Sequence, residues 1–233
     1  MRARIALVTA VLAMLGLGGC AASGGTTMGS PDPDPAPPSA VRGDAPAGTR
    51  VAFYGDSYTL GTGASSKAKR WSTVVCEQRG WVEFNPSVNG LGFINNRSVF
   101  GAGDLPELII ADKPELVFVT MGLNDNFSYG IAKGAIRKQI TADLTRLRSA
   151  LPDARFVVVE PFWYTDSRPR SLQVISGWVR DAASAIHADY IPGASHWIEH
   201  HPEWMASDRL HPNDLGYARM AERMNEELAK LGL

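Results

Sequence analysis

The sequence predicts an α/β domain: a parallel β-sheet with helices packed on both faces. Three observations predict it. From Arg50 onward, short apolar runs alternate with longer amphipathic stretches, the pattern of βαβ units. The apolar runs are nearly continuous in apolarity, as strands buried on both faces are. The chain has 233 residues, 45% hydrophobic and 20% charged, ordinary values for a globular protein with one sizeable core.

The elements follow in order. Arg2 and Arg4 precede an apolar run from Ile5 to Leu17. That run is too short to span a bilayer and has the shape of a secretory signal. It ends in Leu17-Gly18-Gly19-Cys20, which resembles a bacterial lipobox. There, small residues fit the signal peptidase and the cysteine thiol accepts a diacylglyceryl group. Residues 20–48 are rich in Gly, Ser, Ala, Asp and Pro, and include Pro31-Asp32-Pro33-Asp34-Pro35. Such a segment buries too little apolar surface to offset its ordering entropy, and its prolines favour an extended spacer. The expected organisation is therefore a lipoprotein signal peptide at 1–19, a disordered tether at 20–48 and one domain at 49–233. The expected location is extracytoplasmic, anchored to a bacterial cell membrane by a lipid on Cys20.

Within the domain, Val51–Tyr54, Leu116–Thr120 and Phe156–Val159 read as buried strands, with weaker strands at Trp81–Phe84 and Ala188–Ile191. Ile136, Ile140, Leu144, Leu147 and Leu151 recur at helical steps before Pro152 stops them. Leu172, Ile175, Val179, Ala182 and Ile186 form a second stripe, and Met220, Met224, Leu228 and Leu231 a third. Asn213 or Asp214 suits the N-cap of that last helix. With Cys20 acylated, Cys76 has no partner and reads as a buried structural thiol.

Ligands of open α/β sheets bind beyond the carboxyl ends of the strands, where strand order reverses. Gly55-Asp56-Ser57-Tyr58 follows the first strand and Gly122-Leu123-Asn124-Asp125 the central one. Asp208-Arg209-Leu210-His211 precedes the last helix. A serine needs a base to become a nucleophile, and histidine serves near neutral pH. An acid on the other ring nitrogen fixes the tautomer, and Asp208 stands three residues from His211 on one turn. Asp56 reads as a structural hydrogen-bonder, Asp125 as a turn cap and His187 as a structural helix residue.

These blocks, Gly-Asp-Ser at 55–57, Gly-x-Asn-Asp at 122–125 and Asp-x-x-His at 208–211, resemble the signature blocks of the SGNH/GDSL hydrolases, in order and spacing, across residues 50 to 231. The resemblance implies a flavodoxin-like three-layer sandwich with five parallel strands in order 2-1-3-4-5. It implies Ser57 as nucleophile, His211 and Asp208 as the rest of a triad, and Asn124 as an oxyanion donor with the Ser57 N–H. The family's second block contributes a glycine N–H. Counting from Asn85 selects Gly90, with Gly92 left open. The activity implied is hydrolysis of a short acyl ester, with O-acetyl groups of carbohydrate or cell-wall material as the preferred substrate. Two alternatives share the residues: acyl transfer to a sugar hydroxyl, and glycan binding without catalysis.

No cofactor or metal is expected. His196-Trp197-Ile198-Glu199-His200 matches an inverted zinc-protease pattern, but it is short, bounded by prolines and without an evident third ligand. Gly61-Thr62-Gly63 lacks the third glycine of a dinucleotide fingerprint. A net charge of -1 with no basic stripe gives no sign of a nucleic-acid partner. Trp163, Tyr164, Trp197 and Trp204 lie in loops, where they either wall the site or fill the core.

Overall fold

The computed structural model describes residues 48–233, so the signal peptide, Cys20 and nearly all of the tether lie outside the described residues. Strands β1 (Arg50–Gly55), β2 (Val82–Phe84), β3 (Leu116–Thr120), β4 (Arg155–Val159) and β5 (Asp189–Ile191) form one parallel sheet in the order 2-1-3-4-5. β1 and β3 pair along their length, from Val51 opposite Leu116 to Gly55 opposite Thr120. Strand order reverses between them, so the loops leaving β1 and β3 open side by side.

Successive strand residues point to opposite faces, and each face carries its own core. Val51, Phe53, Leu116 and Phe118 join Trp71, Met220, Met224 and Leu228 on one side. Ala52, Tyr54, Val117 and Val119 join Ile109, Ile136, Ile140, Ile175 and Val179 on the other. Helices α2 (Trp71–Arg79) and α6 (Asp214–Lys230) therefore cover the first face, and α3 (Leu105–Asp112), α4 (Asp125–Ala150) and α5 (Arg170–Ala185) the second. The short α1 (Ser57–Leu60) sits on the end of β1.

The helix ends follow local chemistry. Asp104 caps α3 by accepting the Glu107 N–H, and Asn213 caps α6 by accepting that of Gly216 at 3.0 Å. The stripe Met220, Met224 and Leu228 is fully buried, each side chain contributing roughly 1.5–3 kcal/mol. α4 begins eleven residues before its apolar stripe and is broken at Ala132, which takes φ -130° and ψ 18°. Leu231 falls just past the end of α6. His187 is not on a helix: it follows α5 at φ 54° and is exposed. Cys76 is buried on α2, and burial pushes its thiol pKa up, as suits an inert core residue.

Candidate active site

The site grows from the end of β1. Gly55 lies so close to the next strand that a Cβ there would stand 2.5 Å from the Thr59 Cβ and 2.7 Å from the Thr120 Oγ1. Only glycine fits, and the Thr59 and Thr120 hydroxyls bond across the gap at 2.6 Å. Asp56 then caps α1: its Oδ1 accepts the Tyr58 N–H at 3.0 Å. Its Oδ2 faces the Asn124 Nδ2 at 3.4 Å. Asp56 is fully buried, and that burial raises its pKa to about 7, aided by the nearby charge of Asp125. It is structural, as its sequence context indicates.

Ser57 opens α1 with 5% of its surface exposed. Its Oγ lies 2.9 Å from His211 Nε2. On the other side of the ring, Nδ1 lies 2.7 Å from Asp208 Oδ2. A carboxylate only accepts, so the neutral ring carries its proton on Nδ1 and presents a lone pair on Nε2 to the Ser57 hydroxyl. The Asp208 Oδ1 also accepts the Leu210 and His211 N–H groups, at 2.9 and 3.0 Å. These bonds, the one from the His211 ring first, pull the Asp208 pKa down to about 2.

The Asp208–His211 turn is a small closed unit. Met205 pairs with Pro212, the Ala206 N–H donates to the His211 carbonyl at 2.8 Å, and Arg209 crosses into the left-handed region at φ 54°. Tyr58 pins the turn by donating to the Leu210 carbonyl at 2.7 Å. Gly63, at φ 94°, packs beneath it, where a Cβ would meet the Pro212 carbonyl at 2.5 Å and the His211 Cβ at 3.1 Å. Neither Tyr58 nor Gly63 stands out in the sequence as a supporter of the histidine. The one signal for Tyr58 is its place beside Ser57.

On the opposite side, Asn124 leaves β3 and donates from Nδ2 to the Leu91 carbonyl at 2.9 Å. That bond ties the 89–92 turn to the end of β3. Gly90 takes φ 70°, and its N–H and that of Ser57 have no acceptor among the described residues. The Gly92 N–H is spent on the Asn95 carbonyl at 2.9 Å, and Gly92 packs on the Asp125 carboxylate. The geometry thus favours Gly90 over Gly92 as a free donor. Asp125 does not cap its own turn but accepts the Phe93 and Ile94 N–H groups at 2.7 and 3.0 Å, holding the neighbouring loop.

The loop aromatics divide. Trp163 is core, with its Nε1–H donated to Thr165 and Ser167, and Trp197 packs on buried Phe162. Trp204 stacks on His201 with ring centroids 3.5 Å apart. Tyr164 alone of the four lines a cavity of about 620 Å³ beside the 206–211 turn, together with Ile198, His201, Met205 and Arg209. In the zinc-like segment, His196 bonds to Glu199 and His200 to Asp166, so the two rings face different carboxylates. Residues 197–200 form turns, not the helix that would align two histidines.

Comparison with known proteins decides the family. The model of the GDSL-like lipase/acylhydrolase family matches residues 53–219. The chain belongs to that family. A GDSL lipase of Mycobacterium tuberculosis is 30% identical over 194 residues, covering 75% of this chain and 79% of its own. An arylesterase of Vibrio mimicus is 27% identical over 141 residues, covering 56% and 64%. Among solved structures, a psychrotrophic esterase from Pseudoalteromonas shares the fold with a TM-score of 0.64 at 19% identity, over 78% of this chain and 98% of its own. A family two carbohydrate esterase from Clostridium thermocellum does so with a TM-score of 0.64 at 16% identity, over 81% and 66%. This GDSL-family chain is a hydrolase of carboxylic esters, and the matched region contains Ser57, Gly90, Asn124, Asp208 and His211.

Proposed function

We propose that this GDSL hydrolase cleaves short acyl esters, O-acetyl groups on carbohydrate foremost, through a Ser57–His211–Asp208 triad. The observation that carries this reading is the continuous hydrogen-bonded line from Ser57 Oγ through His211 to Asp208, at 2.9 and 2.7 Å. His211 Nε2 takes the Ser57 proton as Oγ attacks the ester carbonyl. The resulting oxyanion rests on the unspent N–H groups of Ser57 and Gly90 and on the Asn124 amide, where it replaces the long contact to Asp56. His211, held in place by Asp208, then protonates the leaving alcohol. Water repeats the sequence against the acyl-Ser57 and releases the acid.

Because His211 must reach the leaving oxygen, the alcohol belongs on the side of the 206–211 turn. The cavity there, with Tyr164 on its wall, suits a sugar ring. The carbohydrate esterase solved with cellohexaose shares this fold, which is in keeping with a saccharide alcohol. Attachment through a lipid on Cys20 remains part of the proposal, and is checked by labelling with a fatty-acid analogue in wild type and Cys20→Ser.

The test of the activity is hydrolysis of p-nitrophenyl esters from acetyl to octanoyl, beside an acetylated oligosaccharide. Wild type is expected to favour acetyl and to release acetate from the saccharide, with both activities gone in Ser57→Ala. Equal rates in the variant would remove Ser57 from the chemistry. A preference for octanoyl would replace the acetyl assignment.

A further inference from the structure

Helix α4 carries an outer face that the ester chemistry does not use. Its first two turns expose Phe127 by 60% and Ile131 by 95%, four residues apart and so on one side of the helix. The small residues Gly130, Gly134 and Ala135 leave Ile131 standing clear of any neighbour. These turns start directly after Asn124, so the apolar pair lies on the element that follows the Asn124 side of the site.

Beyond the break at Ala132 the outer face turns basic. Arg137 and Lys138 are exposed and have no carboxylate partner among the described residues, whereas Lys133 leans back over the Tyr129 ring, its Nζ 5.7 Å from the centroid. The two acidic residues of the helix, Asp125 and Asp143, are both buried, so every exposed charge on α4 is positive. In a chain of net charge -1, this is a local concentration of one sign. Arg137 and Lys138 also flank a shallow depression with Gly134, Thr141, Thr145 and Arg146.

We infer that the outer face of α4 docks on an anionic lipid surface, with Phe127 and Ile131 entering the acyl boundary and Arg137 and Lys138 meeting the headgroups. The charge selects the partner: the unpaired Arg137 and Lys138, with no exposed acid on the helix, match anionic headgroups, and an almost fully exposed isoleucine on the same helix needs an apolar phase, which a polyanionic glycan lacks. Docked this way, α4 lies along the surface and its first turn sets the Ser57 site at the interface. The surface then orients the enzyme in addition to any tether.

The described residues 48–233 lie within one compact unit that holds both described core clusters, so the segment 48–233 serves without the apolar leader. It is floated with vesicles of phosphatidylcholine alone, or of phosphatidylcholine and phosphatidylglycerol in equal parts. Measurements on protein that also carries Ser57→Ala keep binding separate from hydrolysis. Binding is expected on the anionic vesicles only, weakening as salt rises. Arg137→Gln and Lys138→Gln together should weaken it roughly twenty-fivefold, about fivefold per cation. Ile131→Ser should weaken it roughly tenfold or more. Unchanged thermal midpoints show that the variants fold. No binding to either vesicle, or equal binding by the double variant, overturns the inference. A concentration-dependent dimer that Ile131→Ser dissolves, without vesicle binding, would assign the face to a second copy of the chain.

Discussion

The two sides of the Ser57 site are built on different terms. The side carrying Gly90 is a long loop fastened to the core by charge. Asp125 holds the Phe93 and Ile94 N–H groups, while Arg97 is clamped by Asp143 and Asp104, each at 2.7 Å. Tyr54, buried in β1, donates to the same Asp143 at 2.7 Å. The side carrying His211 is a turn that satisfies itself. Asp208 is 47% exposed in its side chain and spends its oxygens on residues two and three positions away. Loss of a buried charge partner leaves the other charge unpaired and destabilises a fold, whereas loss of an exposed local contact costs it little. Substitutions on the His211 side should therefore separate activity from stability, and those on the Gly90 side should not.

The widest separation belongs to His211→Ala. Ester hydrolysis should fall roughly 10⁴–10⁶-fold in kcat, with stability changed by about 1 kcal/mol or less in urea unfolding. A large loss of stability would mean that the turn is not self-sufficient. Asp208→Asn should cost roughly 10²–10⁴-fold in kcat, since the amide can no longer enforce the tautomer, again with little change in the urea midpoint. Near-normal kcat in that variant would show that another group orients the ring.

Asp125→Ala probes the other side. Two backbone donors lose their acceptor in a buried place, a loss of roughly 2–4 kcal/mol. As the 92–95 segment loosens, Gly90 drifts and kcat falls roughly 10–100-fold. The comparison fails if urea unfolding shows no destabilisation while activity drops. Gly63→Ala is a milder probe of the His211 turn: its Cβ has no room beside Pro212 and His211, and its φ of 94° disfavours alanine. About a tenfold drop in kcat is expected, with KM for p-nitrophenyl acetate nearly unchanged.

How much of this was legible in sequence follows from the same contrast. The three longer strands could be read because each is an apolar run between helical stretches, the short β2 (Val-Glu-Phe) and β5 (Asp-Tyr-Ile) more weakly, and the three residues of the proposed triad because each sits in a short block at a strand or helix end. The first turns of α4 could not, since Phe127 and Ile131 face outward and Gly130 and Gly134 interrupt helical propensity. α1 and α3 are too short to repeat a stripe. The role of Asp125 was hidden for another reason: its partners lie more than thirty residues back in the chain, at Phe93 and Ile94. Local spacing reveals an aspartate–histidine pair built across one turn and says nothing of a clamp built across the fold.

The smallest effect sets two aspartates of the site against each other. Burial raises Asp56 to about 7, while its bonds to the His211 ring and backbone pull Asp208 down to about 2. For Asp56 the folded state binds the proton more tightly than the unfolded chain, whose value is near 3.8. Its stabilising contribution is whole below that value and is lost as pH rises through about 7. Asp208 has the opposite sign, and its contact persists until pH falls through about 2. Between pH 5 and 8, then, only the buried aspartate adds a slope. Because other groups titrate too, the readout is the difference between wild type and Asp56→Asn in thermal midpoint. The asparagine keeps the acceptor for the Tyr58 N–H but cannot ionise, so it should gain on wild type by roughly 5–10 °C between pH 5 and pH 8. Parallel curves would mean that the Tyr58 and Asn124 donors already offset the burial of the carboxylate. The buried side would then be no more pH-sensitive than the exposed turn.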